Sequence, residues 1–140
     1  MITNLRQFKI AKAQAEKFRL ALDAPLPSDL HPKAAKAMRE AAQSQLEEMQ
    51  AEIAEFEDLN QGRVSVLIAD RITGLGEALI KARIRRRLTQ KELAERLSIA
   101  EQQVQRYEAT LYNGVSTGRL QEIADALKLK VREEITFEES

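Results

Sequence analysis

No cysteine occurs in the 140-residue chain, so neither a disulfide framework nor a thiolate metal site can be built. Histidine is nearly missing too. With His31 alone, one chain assembles neither a histidine-cluster metal site nor a Cys–His pair. The longest purely apolar run is Val66 to Ala69, far below the ~20 residues of a membrane helix. Met1 to Lys9 carries charge without an apolar core, so it does not read as a secretory signal. A soluble, cytoplasmic protein with no membrane partner is expected. No glycine-rich phosphate loop occurs, because Gly74-Leu75-Gly76 lacks the spacing. No internal repeat or low-complexity tract is present. Neither an enzyme, a cofactor nor a metal is expected. His31, beside Pro32 at a helix start, reads as a cap.

Net charge is lacking as well: 22 basic side chains balance 22 acidic ones. The charge is nonetheless segregated. Lys81 to Arg106 holds eight basic and three acidic residues, which leaves +5. Glu40 to Gly62 holds seven acids and no base, and Val131 to Ser140 four acids and one Arg. A local patch governs polyanion binding more than the total does.

Apolar spacing organises the chain. Leu5, Phe8, Ala11, Ala15, Phe18 and Leu22 recur every three or four residues, which predicts a helix over about 4–22. Pro25 and Pro27 break it. Pro32 suits the first position of a second helix running to about Asn60, with Met38, Ala42, Leu46, Met49, Ile53 and Phe56 as its stripe. Neither stripe is stable in water, and the short turn favours antiparallel pairing. Arg6, Lys9 and Lys12 would then lie near Glu52, Glu55, Glu57 and Asp58. The longer second helix should overhang the first, with an acidic overhang offered to a partner. The hairpin acids read equally as solubilising charge.

Val64 to Ile72 admits a strand, with Val64, Val66 and Ile68 alternating. A short helix is preferred because another helix follows. Further helices are predicted over about 75–87, 90–97, 100–109 and 117–127. Leu129, Val131, Ile135 and Phe137 stand at odd positions, the pattern of a strand or extended arm.

Gln90 to Ala109 has the organisation of a helix-turn-helix. Two short helices that cross with backbones close together need a small inner residue, and Ala94 supplies it. Leu93, Leu97, Ile99, Val104 and Tyr107 supply a joint core. Thr89 and Glu92 have capping-box spacing. Glu101, Gln102, Gln105, Arg106 and Ala109 are left outward. The runs Leu79-Ile80-Lys81-Ala82-Arg83, Leu88 to Leu97 and Val104-Gln105-Arg106-Tyr107-Glu108, with Arg119 to Leu127 behind them, resemble the lambda-repressor-like (Xre-type) helix-turn-helix family over about Leu75 to Leu129. The resemblance implies a small all-α helix-turn-helix domain over 75–129. Apolar spacing supplies the rest of an all-α chain: a helical hairpin over 1–62 for dimerisation or partner binding, a connector over 63–74 and a strand-like tail over 130–140.

By the same resemblance, Gln90 meets the phosphate backbone from the first helix, and Gln102 and Arg106 read base edges with Gln105 beside them. An amide can pair with adenine N6 and N7, and a guanidinium with guanine O6 and N7. Glu101 repels phosphate but can accept from cytosine N4. Lys91, Arg85, Arg86, Arg87, Tyr112 and Asn113 complete the expected phosphate contacts. Plainer readings stand beside these: a solvated face for the α-helical glutamines and Arg106, a positively charged helix end for Arg83 and Arg85–Arg87, a simple turn for Tyr112 and Asn113. Tyr107 reads as core. Ser98 stands where the family's turn usually has glycine, a position that tends to need positive φ, so a strained or reshaped turn is expected there.

The implied function is a sequence-specific double-stranded-DNA-binding regulator, most simply a dimeric repressor with recognition helices in successive major grooves. The alternative is an antitoxin whose hairpin binds a toxin while the helix-turn-helix represses its own operon.

Overall fold

The computed structural model describes residues 1–139, and every regular element among them is helical. The chain divides into two units, Met1–Val64 and a second beginning at Ser65.

The first unit is a hairpin of α1 (Leu5–Leu22) and α2 (Pro32–Asn60). Asn4 caps α1 by accepting from the Gln7 N–H at 2.8 Å. His31 caps α2 through Nδ1, which accepts from the Lys33 N–H at 3.1 Å, and Pro32 opens the helix. Phe8 near the start of α1 stacks on Phe56 near the end of α2, ring centroids 5.0 Å apart, so the helices are antiparallel. Ala15, Leu46, Phe56 and Leu59 are buried between them, with Ile2 closing one end. Two stripe residues fall outside this contact: Leu5 and Met38 are exposed, as are Ile10 and Leu20.

The charge register is partly as expected. Lys12 lies 4.0 Å from Glu57, and the terminal amine 3.5 Å from Glu52. Asp58, however, pairs with Arg63 at 2.7 Å. The expected acidic overhang is not found. Pairing of Phe8 with Phe56 places the excess length of α2 at its start, where Lys33, Lys36 and Arg39 outnumber Glu40. The acids from Glu47 to Asp58 instead run along the part of α2 that α1 covers.

The second unit has a single 3-10 turn (Ile72–Gly74) and four helices: α3 (Leu75–Arg85), α4 (Gln90–Leu97), α5 (Glu101–Ala109) and α6 (Thr117–Ala126). The short helix expected before Ile72 does not form; residues 64–69 have no regular structure. β-Branched Val64, Val66 and Ile68 are poor helix formers without a face to bury, and Val66 and Ile68 are exposed. α3 stops two residues short of expectation because Arg87 turns left-handed at φ 57°.

Leu79, Ile80, Leu93, Val104, Ile123 and Leu127 form the core, each at most 2% exposed. Side chains of this size contribute about 1.5–3 kcal/mol apiece on full burial. Gly76 permits one close approach. A Cβ built there would stand 1.9 Å from the Leu111 carbonyl oxygen, so α3 reaches the α5–α6 loop only because the side chain is absent. After Leu127 no strand forms among the described residues. The expected strand-like tail has no neighbouring ladder, and Val131, Ile135 and Phe137 are exposed.

Candidate nucleic-acid interface

α4 and α5 are set by local signals. Thr89 Oγ1 accepts from the Glu92 N–H at 3.0 Å while the Thr89 N–H donates to Glu92 Oε1 at 3.1 Å, the expected capping box. Ser98 ends α4 in the left-handed region, φ 56° and ψ 41°. That conformation costs a non-glycine residue about 1–2 kcal/mol. It lets the Ile99 N–H donate to the Ala94 carbonyl at 3.0 Å and turns the chain into α5. Ala94 at 2% exposure and Val104 at 0% hold the two helices together.

The outward face of α5 carries Glu101, Gln102, Gln105, Arg106 and Ala109, all exposed. Gln105 Nε2 donates to Glu101 Oε1 at 3.4 Å. This weak contact uses one of the two N–H donors of the amide. Glu101 thus bears on the orientation of Gln105 as well as on charge.

Behind that face lies an ion pair that the sequence did not reveal. Arg83 Nε and Nη2 donate to the two oxygens of Glu108 at 2.6 and 2.9 Å, and Nη1 donates to the Leu88 carbonyl at 2.8 Å. Both side chains are almost fully buried. Gln90 Nε2 adds a third donor to Glu108 at 3.0 Å. One carboxylate therefore joins the end of α3, the start of α4 and the end of α5. Arg83 belongs to this network, not to a surface basic patch.

The expected phosphate contacts separate into groups. Lys91, Arg87 and Asn113 are exposed, and Arg85 is half-buried. Gln90 turns its amide nitrogen inward to Glu108. Arg86 donates from Nε to the Leu127 carbonyl and from Nη2 to the Lys128 carbonyl, both at 2.9 Å. It satisfies carbonyls at the end of α6, with Arg96 doing the same for Ala126 at 3.0 Å. Tyr112 is a correction: at 4% exposure it is a core residue rather than a surface contact. Its ring lies 5.6 Å from that of half-buried Tyr107. Burial, then the Glu108 charge, pushes its phenol well above the usual range.

A shallow groove between the end of α5 and the start of α6 brings Arg106, Asn113 and Arg119 together. Sequence reasoning passed over Arg119 because its helix read only as the closing core element. Arg119 is half-buried and paired with Glu122 at 2.9 Å, and its N–H donates to the Ser116 cap at 3.2 Å.

Residues 79–133 match the helix-turn-helix family model. This segment, lambda-repressor-like in its sequence, is a helix-turn-helix domain, and the hairpin lies outside the match. No curated protein and no solved structure matched the chain. No helix among the described residues is long and apolar enough to cross a membrane.

Proposed function

We propose that this protein is a sequence-specific double-stranded-DNA-binding transcriptional regulator that acts in the cytoplasm as a dimeric repressor. The observation that carries the reading is the outward face of α5 within a helix-turn-helix domain. Gln102, Gln105 and Arg106 stand exposed on a helix whose inner side is fixed by Val104 and Glu108. Arg106 and Gln102 present guanidinium and amide groups that match guanine and adenine edges in the major groove. Asn113 and Arg119 line the groove beside Arg106, and with exposed Lys91 they supply phosphate contacts.

Selection from a random duplex pool tests the proposal. A dimer should enrich a two-fold-symmetric site with half-sites about 34–36 Å apart, and its affinity should fall steeply with salt. Failure to enrich any sequence would contradict the reading.

An antitoxin role is the second reading. Its support is the hairpin, a separate unit with exposed Leu5, Ile10, Leu20 and Met38 available to a partner. Loss of toxin neutralisation but not DNA binding on removing residues 1–62 would favour it.

A further inference from the structure

Two segments of the second unit share one unusual property. Residues 64–69 and 130–139 belong to no helix or strand, yet both set apolar side chains at positions of one parity, Val64, Val66 and Ile68 in the first and Val131, Ile135 and Phe137 in the second. In the first, Val66 is 70% and Ile68 81% exposed, with Ile72 at 93% just beyond. In the second, Ile135 is 86% and Phe137 89% exposed, with Val131 at 48%. Such surface is costly in water, and a segment whose backbone pairs with no ladder can add as a strand to a second chain. Neither segment contains proline, which would block a ladder.

We infer that the tail of one copy adds as a strand to the connector of a second copy, and reciprocally, to form a two-fold homodimer. The connector and the first half of α3 border an open groove. Val66, Ile68 and Ala78 contribute apolar lining, and Asp70, Arg71, Glu77 and Lys81 contribute charges that balance. The tail over 131–139 carries four Glu and one Arg. Two such tails side by side would set like charges against each other. The balanced groove accepts the acidic strand without that repulsion.

Pairing connector with connector is disfavoured for the same reason. Antiparallel pairing centred on Leu67 sets Arg63 against Arg71 of the other copy. Arg86 also holds the exit of the tail, at the Leu127 and Lys128 carbonyls, by the far end of α3 from the groove.

Size is consistent. Six exposed apolar side chains per copy, at about 100–200 Å² apiece, bring two copies to the order of 1,500 Å², the class of a stable interface. Exchange between copies makes the contact self-complementary and closed. The inference gives the proposed DNA-binding dimer its interface but does not depend on α5.

Single-cysteine chains test it in the full-length protein, which has no native cysteine. A tagged chain with Ile68→Cys is mixed with an untagged chain with Phe137→Cys and oxidised. A disulfide between the two chains is expected, with sedimentation showing a dimer. The Ile135→Asp/Phe137→Asp variant should weaken dimerisation by about ten-fold or more, with unchanged helical signal. A monomer at all concentrations, or a dimer in which the Ile68→Cys and Phe137→Cys chains give no disulfide on oxidation, overturns the inference. So does closure of an Ile68→Cys/Phe137→Cys chain upon itself as a monomer. A cross-linked dimer that binds no DNA sinks the functional reading alone, and DNA binding by a monomer sinks the interface alone.

Discussion

Arg83 and Glu108, 25 residues apart, meet in a buried two-pronged ion pair with contacts of 2.6 and 2.9 Å. Through it the helix that faces solvent with Gln102 and Arg106 is anchored at its far end to α3. Rigidity of that helix is what base reading requires, since an amide or guanidinium must meet a base edge in one orientation.

Removing one partner should be far worse than removing both. Glu108→Ala leaves a buried guanidinium without its carboxylate, a loss of about 3–5 kcal/mol. Replacing Arg83 and Glu108 together by Met and Leu should cost much less. Urea denaturation of the two variants measures this, and equal losses for the single and double changes would contradict the pairing.

Gly76→Ala is expected to destabilise the domain although it adds one methyl group. The new Cβ would overlap the Leu111 carbonyl at 1.9 Å, and Leu111 and Tyr112 already stand at φ 53° and 59°. Overpacking of this kind costs about 1–3 kcal/mol. A thermal midpoint equal to that of the parent protein would show that the loop yields freely.

Ser98→Gly should stabilise. It relieves about 1–2 kcal/mol of left-handed strain, offset by about 0.4–1 kcal/mol from the looser unfolded chain. A rise of a few degrees in Tm is the expected outcome. A fall would mean that the serine side chain holds the turn.

Tyr112 predicts an alkaline limit. Its phenol is pushed above the ordinary value near 10 by burial and the Glu108 charge. The unfolded chain therefore ionises first as pH rises. The contribution is fully present below pH 10 and is lost progressively above it. Tyr112→Phe should flatten the decline measured by denaturation between pH 9 and 12. An unchanged slope would place the sensitivity elsewhere.

The elements legible in the sequence were those with local signals. Pro32, the Thr89–Glu92 capping box and the Ala94 close approach all act within a few residues. So does the left-handed Ser98 turn, where a small polar residue replaced glycine. The Arg83–Glu108 pair was not legible, because both residues look like ordinary surface charge until α3 and α5 are brought together. Tyr112 was misread for a related reason: the loop reverses through two left-handed residues and turns the ring inward. Val64 to Ile72 failed as a helix because no neighbouring face in its unit buries it. Along α2, the charge register that set Lys12 near Glu57 already put α1 over the acidic part, so the acidic overhang did not follow from it.

Fluorescence anisotropy of Gln102→Ala on the selected site and on random duplex tests the central claim most directly. Loss of one base-reading contact should weaken the selected site by about 1–3 kcal/mol, roughly five- to 150-fold, and leave random DNA nearly unaffected. Equal losses on both, or no loss on either, would contradict the assignment of this face of α5 as the reading surface.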